Sequence, residues 1–239
     1  MQNLKHQIPG EGLQGFAESF IASTREHVFI RLEDNLLILR PNRVQYLNRT
    51  GTEMLHALYA QETVDVDALV KQVAAKYGVS ETRIEEDLDK LLRSLAMLLQ
   101  DRAGCAPAIK TTPFGSHERT LPVLSEIALT YRCQNRCFFC YASSPERGRS
   151  VPEMTTEKVR RVLDKIVDQA RVPTVSFTGG EPTLRRDLPE LVAHAHERGL
   201  RTNLITNGIR CADAAFVARL AEAGLKSAQV SVEAGDAET

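Results

Sequence analysis

The pattern of apolar and polar residues divides the chain into two parts with different periods. Between residues 29 and 48 the apolar residues form short strand-like runs, interrupted by Glu-Asp-Asn and by Pro-Asn. Runs of this kind between turn-forming residues predict a three-stranded meander. After residue 48 the apolar residues recur at helical spacing, which predicts three helices over residues 50–58, 67–78 and 80–95, the first and third capped by Thr50 and Ser80. We therefore predict a winged-helix-like domain of three strands and three helices over residues 20–100.

The remainder of the chain has a different organisation. Residues 101–120 contain Pro and Gly without a sustained period, which predicts a linker between domains. From residue 121 onward, apolar runs at 123–129, 174–177, 201–205 and 227–232 alternate with helical patterns at 155–169, 188–198 and 212–223. This alternation predicts an α/β domain over residues 121–239, built from βα units around a parallel sheet. Ligand-binding loops are expected to follow the strands.

Composition and charge exclude several classes of function. The chain has 239 residues, 43% of them hydrophobic, and a formal net charge of -1. This charge gives no electrostatic footprint for nucleic acid or for an anionic membrane, and no apolar run has the length of a membrane span. The third predicted helix is acidic and would repel phosphate, so we do not expect a DNA-binding winged helix. The first ten residues lack the apolar segment of a signal peptide, which favours a cytoplasmic protein with reduced thiols.

Cysteine spacing gives the most specific indication of chemistry. Cys133, Cys137 and Cys140 form a Cys-x-x-x-Cys-x-x-Cys run directly after a predicted strand, whereas Cys105 and Cys211 stand apart. Disulfides need paired cysteines and an oxidising compartment, whereas this chain has five cysteines and no apolar signal segment, so we do not expect disulfides. Zinc remains a rival, although structural zinc sites use four ligands, usually as two pairs, and no second pair is present. A cubane cluster normally takes four thiolates, so three of them would leave one iron open to another ligand.

The residues around these cysteines carry a family resemblance. Residues 124–141 resemble the first strand and cluster loop of radical S-adenosylmethionine (SAM) enzymes, and the resemblance extends from about residue 121 to the C-terminus. It implies a 4Fe-4S cluster held by Cys133, Cys137 and Cys140, with SAM bound to the fourth iron. It also implies reductive cleavage of SAM and hydrogen abstraction from an unactivated carbon.

The same resemblance implies a set of SAM-binding residues. Thr178-Gly-Gly-Glu-Pro182 matches the motif that contacts the methionyl amino group, and Ile205-Thr-Asn-Gly208 matches a segment near SAM. The fourth strand resembles one whose polar side chains reach the ribose, and an aromatic residue before the last cysteine matches one that packs near the adenine. Ordinary turns, solvated strand ends and a loop aromatic that covers the cluster are the alternatives. The expected SAM-binding residues are Phe139, Gly179, Gly180, Glu181, Pro182, Thr206, Asn207, Ser231 and Glu233.

The first domain carries a second resemblance. Residues 42–55, followed by residues 63–70, resemble the PqqD-like peptide-recognition domain over about residues 20–100. That family binds the leader segment of a ribosomally made precursor peptide. The expected physical mode is strand addition, in which an extended leader pairs with an exposed edge of the meander. Alternation along the third strand puts Val44 and Tyr46 on one face and Arg43, Gln45 and Leu47 on the other.

Together these features predict a radical SAM enzyme that modifies a ribosomally made precursor peptide and receives electrons from a donor such as ferredoxin or flavodoxin. Two alternatives are a non-catalytic leader-binding protein and a radical SAM enzyme acting on a small-molecule cofactor precursor. The family's partial barrel has six βα units, whereas only four strands are predicted here. We therefore expect an incomplete barrel, belonging to a fragment, to a truncated gene product or to a chain that a partner completes.

Overall fold

The computed structural model describes residues 12–39, 43–100 and 121–232. The chain divides between residues 120 and 121 into two compact units, each with its own hydrophobic core. The predicted linker at 101–120, the predicted Pro41-Asn42 turn, Cys105 and Glu233 lie outside the described residues. No helix within the described ranges is long and apolar enough to cross a membrane.

The first unit begins with a helix that the sequence pattern did not predict. Helix α1 (Leu13–Thr24) precedes three short strands, β1 (Val28–Arg31), β2 (Leu36–Leu39) and β3 (Arg43–Tyr46), which form an antiparallel sheet in the order β1-β2-β3. Helices α2 (Arg49–Ala60), α3 (Val66–Tyr77) and α4 (Glu81–Leu99) follow. The predicted three strands and three helices are confirmed. Helix α1 is an addition, and its buried Ala17, Phe20 and Ile21 belong to the same core.

Local side-chain bonds determine where these helices begin and end. Asn48, and not the predicted Thr50, caps α2 by accepting a 2.7 Å hydrogen bond from the Gly51 N–H. Ser80 caps α4 as predicted, through the Arg83 N–H. Gly78 ends α3 in the left-handed region at φ 66°, a conformation that glycine adopts without strain. The apolar faces so positioned form one aliphatic core.

The second unit is an open parallel sheet with helices between its strands. Strands β4 (Glu126–Thr130), β5 (Thr174–Gly179), β6 (Arg201–Thr206) and β7 (Ser227–Val230) lie in the order β4-β5-β6-β7. Helices α6 (Thr156–Asp168), α7 (Leu188–Glu197) and α8 (Ala214–Glu222) connect them. A short helix α5 (Ser144–Ser150), which was not predicted, lies within the long connection after β4. The predicted α/β class and the four parallel strands are confirmed, although β7 ends two residues earlier than predicted.

The two faces of this parallel sheet differ in polarity. One face contributes Ile127, Leu129, Val175, Phe177 and Leu204 to a core shared with the helices. On the other face, Asn203 donates to the Ser176 hydroxyl at 3.2 Å and accepts from the Ser227 hydroxyl at 2.9 Å. Parallel strands leave their carboxyl ends at one edge of the sheet, so the loops after β4, β5 and β6 meet there.

Candidate functional site

The turn after β5 is bonded directly to the start of the cysteine loop. The Gly180 N–H donates to the Thr130 carbonyl at 2.7 Å, and the Glu181 N–H donates to the Arg132 carbonyl at 2.8 Å. These bonds extend the pairing of β4 with β5 past the register shift near Thr130. The structure therefore brings the predicted Gly-Gly-Glu motif and the predicted cysteine motif together at the same sheet edge.

Both glycines of the turn are explained by this close contact between loops. Gly179 has φ +128°, and a Cβ atom there would lie 2.1 Å from the Thr130 carbonyl oxygen. A Cβ atom on Gly180 would lie 2.5 Å from the Arg132 oxygen and 2.6 Å from the Tyr131 oxygen. These are backbone atoms that cannot move aside, so only glycine fits at either position. The two glycines indicated that the backbone approaches another group closely, and in the described structure that group is the backbone at the start of the cysteine loop.

Glu181 is a fully buried carboxylate, with 0% of its surface exposed. Its Oε1 atom accepts hydrogen bonds from the Thr183 N–H at 3.0 Å, the Thr183 hydroxyl at 2.6 Å and the Thr206 hydroxyl at 2.7 Å. Its Oε2 atom accepts from the Asn207 N–H at 2.8 Å. Hydrogen bonds to an ionised group are strong when the group is removed from water. Glu181 thus joins the turn after β5 to the end of β6, and a direct contact with SAM stays a prediction.

Pro182 and Thr206 support this arrangement. Pro182 is buried and begins a short 3-10 turn, Pro182–Leu184, whose backbone carries the Thr183 donors. The Thr206 hydroxyl accepts a hydrogen bond from the Gly208 N–H at 3.1 Å and donates one to the Glu181 carboxylate. It therefore connects the loop that follows β6 to Glu181. Both side chains face the interior of the unit.

The three cysteines lie half-buried on the loop between β4 and α5, as free thiols. The Cys140 N–H donates to the Cys137 carbonyl at 3.2 Å, and the Cys133 sulfur accepts from the Asn135 N–H at 3.4 Å. The Ser144 N–H, at the start of α5, lowers the pKa of the Cys140 thiol. A lowered pKa favours the thiolate, which is the form that binds metal.

The arrangement of the cysteines bears on which metal they suit. Within the three described ranges, no three His, Cys, Asp or Glu side chains gather closely enough to share a single metal ion. A single zinc ion needs such convergence. A cubane cluster binds each thiolate at a different iron, so its ligands do not meet at one point. Three half-buried thiols on one loop can each reach a different iron, and the cluster that they would hold stays a prediction.

Aromatic residues project from the same loop. Phe139 is 52% exposed and meets Phe138 edge to face, with 5.0 Å between the ring centroids. The Tyr141 ring is also exposed, and its hydroxyl lies 3.3 Å from the Thr178 hydroxyl on β5. Beside this loop is a cavity of about 220 Å³, smaller than the roughly 300–1,000 Å³ of typical ligand pockets. It is lined by Glu126, Ala128, Tyr131, Tyr141, Ala142, Arg147, Thr178 and Gly179.

Of the remaining two predicted residues, the structure describes only Ser231, next to the edge strand β7. Ser231 follows β7 and is exposed, and its N–H donates to the Thr206 carbonyl at 2.9 Å. Glu233, which was predicted to share its face, lies outside the described residues. A role for Ser231 at the ribose therefore stays a prediction.

Sequence reasoning missed the charged residues that bond to the end of β4 and to the start of the cysteine loop. Arg185 is buried and donates to the Leu129 and Met154 carbonyls at 3.2 and 2.7 Å, and its guanidinium lowers the pKa of the adjacent Asp187. Glu153 accepts from the Arg132 guanidinium at 2.6 Å, which lowers the pKa of that carboxyl. No spacing rule points to such contacts, because their partners are distant backbone atoms and isolated charges.

Comparison with known proteins gives matches for both units. The model of the radical SAM superfamily matches residues 127–239, and the model of coenzyme PQQ synthesis protein D (PqqD) matches residues 35–98. PqqA peptide cyclase of Rhodopseudomonas palustris is 42% identical over 118 residues, which cover 49% of this chain and 30% of that protein. PqqA peptide cyclase of Granulibacter bethesdensis is 41% identical over 111 residues, covering 46% and 29%. The chain thus spans less than a third of the length of these relatives.

A solved structure shows a similar fold. Streptococcus suis SuiB bound to S-adenosylmethionine has a TM-score of 0.54 and 17% identity, covering 89% of this chain and 48% of that one. SuiB bound to precursor peptide SuiA has a TM-score of 0.52 and 19% identity, covering 85% and 46%. At this level of identity the likeness concerns the fold alone.

Proposed function

We propose that this chain, which belongs to the radical SAM superfamily and carries a PqqD-like domain, supports the reductive cleavage of SAM to modify a ribosomally made precursor peptide. One observation carries the proposal: the Gly-Gly-Glu turn is hydrogen-bonded to the cysteine loop through the Thr130 and Arg132 carbonyls. A cluster-binding loop and a SAM-binding turn need this proximity, because SAM binds the cluster directly. The relatives named PqqA peptide cyclase act on a peptide, which supports the same class of substrate here.

The radical SAM family implies an iron–sulfur cluster and SAM. We infer that the cluster is of the 4Fe-4S type, held by Cys133, Cys137 and Cys140, with one iron left for SAM. When bound, this pair supplies the electron transfer and the bond cleavage that protein side chains cannot perform.

The chain's own residues then serve for placement and for exclusion of water. Glu181 and Thr206 hold the turn rigid, so Gly179, which lines the cavity beside the loop, would meet a ligand in a fixed position. The exposed Phe139 ring can cover an adenine or shield the cluster from solvent. Ser231 lies at the end of β7, where a polar ligand group would find its hydroxyl.

The first unit supplies the proposed peptide-binding surface. Strand β3 forms an edge of the three-stranded sheet, and an edge strand can pair with an extended leader. Val44 and Tyr46 face the same side of the sheet as their partners Ile38 and Leu36. In the proposal, the Val44 and Tyr46 side chains offer apolar contacts to alternate side chains of the leader. In this proposal residues 20–100 bind the leader, residues 101–120 link the domains and residues 121–239 carry the chemistry.

Two further elements complete the proposal. A low-potential one-electron carrier, such as ferredoxin or flavodoxin, would reduce the cluster. The cytoplasm is the proposed location, since free thiols there stay reduced and available for cluster assembly.

Anaerobic reconstitution with iron and sulfide, followed by incubation with SAM and dithionite, tests the proposal. We expect about four irons per chain, the visible absorbance of a cluster and formation of 5'-deoxyadenosine. The variant in which Cys133, Cys137 and Cys140 are all changed to Ala should hold no cluster. Cys211→Ala is the matched control, because burial raises the pKa of that thiol, and it should keep the full iron content. Zinc in place of iron, or equal iron in all three proteins, would count against the proposal.

Peptide binding is tested separately by calorimetric titration with a synthetic leader peptide. Saturable binding to the full chain, retained when the three loop cysteines are Ala, would support the role of the first unit. Absence of binding alongside normal SAM cleavage would favour a small-molecule substrate.

A further inference from the structure

Asn207 links the end of β6 to the cysteine loop. Its side-chain Nδ2 atom lies 3.8 Å from the Cys133 sulfur, within hydrogen-bonding distance for a sulfur acceptor. The two residues are 74 positions apart in the sequence, so this contact exists only because β4 and β6 end at the same sheet edge.

The orientation of the Asn207 amide follows from its other partner. The Ile209 N–H lies 3.1 Å from the Asn207 Oδ1 atom. A backbone N–H can only donate, so the amide atom that faces it must be the oxygen. The NH₂ group then necessarily points toward the sulfur. The Gln134 amide, 3.4 Å from the same oxygen, can donate to it as well.

Asn207 is also fixed through its backbone. Its N–H donates to the buried Glu181 carboxylate at 2.8 Å, and this bond does not depend on the side chain at position 207. The Cys133 sulfur accepts a second N–H, from Asn135 at 3.4 Å. Cys133 is therefore a thiol with two N–H donors directed at its sulfur, one from the loop itself and one from the residue after β6.

We propose that Asn207 is a positioning residue that donates an N–H···S hydrogen bond to Cys133 and raises the reduction potential of the cluster. This inference rests on the proposed function, and it goes beyond the expectation that Asn207 lies near SAM. Reduction adds one negative charge to a cluster, and this charge is shared with the thiolate sulfurs. A donor directed at a sulfur stabilises the reduced form more than the oxidised form, and hydrogen bonds to the sulfurs are known to set cluster potentials.

The test is a redox titration of the anaerobically reconstituted full chain, with dithionite as the one-electron donor and electron paramagnetic resonance as the readout. Asn207→Ala removes the donor, and its midpoint should move to a more negative potential. A tenfold fall in the ratio of reduced to oxidised cluster corresponds to 59 mV for a one-electron couple, and we expect a shift up to about that size. Asn207→Asp keeps the acceptor for the Ile209 N–H but loses the donor, so its shift should be at least as large.

Asn203→Ala is the matched control, because the amide of this asparagine on β6 bonds to the Ser176 and Ser227 hydroxyls rather than to a cysteine sulfur. It should leave the midpoint near that of the unmodified chain at equal iron content. If Asn207→Ala fails to retain its cluster, the isosteric Asn207→Asp variant decides the question in the same titration.

Equal midpoints for both Asn207 variants and the unmodified chain would overturn the inference, as would an equal shift in Asn203→Ala. A shift that is present only after SAM is added would mean that Asn207 acts on SAM, which also overturns it. These outcomes differ from failure of the proposed function, in which the unmodified chain would hold no cluster at all.

Discussion

Replacing Glu181 by Gln tests how strongly one buried carboxylate joins the loops of the site. Three of its four hydrogen bonds reach Oε1, and one reaches Oε2 from the Asn207 N–H. A glutamine can keep its oxygen toward the three donors, but its NH₂ group must then face the Asn207 N–H. The change loses one hydrogen bond to a charged group, about 1.5–3 kcal/mol, and leaves a buried N–H without an acceptor, about 1–3 kcal/mol. Removing a buried charge offsets part of this, so the expected loss is about 2–4 kcal/mol.

Urea unfolding of the full chain, followed by far-ultraviolet circular dichroism, measures this loss, since the chain contains no Trp for fluorescence. Two units need not unfold in one transition, so amide exchange over residues 203–209 should identify the unit affected. Glu190→Gln is the matched control, because Glu190 is half exposed and pairs with Arg160 at 2.9 Å. Exposed pairs contribute about 0.2–1 kcal/mol. A Glu181→Gln chain as stable as the control would refute the idea that the carboxylate joins the loops.

Three further predictions concern a glycine, an arginine and a glutamate. Gly179→Ala should destabilise the second unit by more than about 3 kcal/mol, because its Cβ would meet a backbone oxygen at 2.1 Å. Gly199→Ala, at φ +80° with open space around it, should cost only about 1–2 kcal/mol, and similar urea midpoints for the two would contradict this reasoning. Arg185→Met should cost about 3–5 kcal/mol in the same assay, because two carbonyls lose a charged donor and the partly buried Asp187 carboxylate keeps only the Thr156 hydroxyl. Exposed Arg186→Met should cost little; equal losses would be the opposing result. The Glu53 carboxyl should titrate by NMR near a pKa of about 2, because its hydrogen bond from the Lys76 ammonium lowers that pKa. The ion pair should therefore stabilise the folded state fully above the unfolded pKa of about 4.3, and this stabilisation should vanish as the pH falls through about 2. A titration midpoint near 4 would argue against the ion pair.

The regular elements could be predicted because apolar spacing reports which face of an element is buried. Strand β6 was expected at residues 201–205 and is observed at Arg201–Thr206. Helix α1 carries apolar residues at helical spacing and could have been found by the same rule. Helix α5 could not, because Ser-Pro-Glu-Arg-Gly-Arg-Ser lacks an apolar stripe, and its N-terminal Ser143 has φ 48° without a side-chain cap.

The site could be predicted only in outline. Two motifs that each follow a strand of one parallel sheet must meet at its carboxyl edge, so the proximity of Cys133 and Gly179 was accessible from spacing. What each residue contacts was not, because burial depends on segments distant in sequence. Gly179 illustrates the limit, since its glycine identity indicated a close approach but not that the approach was to the Thr130 carbonyl.

Glu181 shows why motif identity and physical role can differ. A carboxylate in a Gly-Gly-Glu turn at a sheet edge was expected to reach a ligand, yet burial without partners would cost several kcal/mol. The structure resolves this cost with four donors, which come from the adjacent turn and from the end of β6. One of them, the Asn207 N–H, belongs to the residue whose amide reaches Cys133. The carboxylate therefore holds the backbone of the residue whose amide reaches Cys133, and we expect a substitution at Glu181 to disturb the Cys133 environment even where it touches no cofactor.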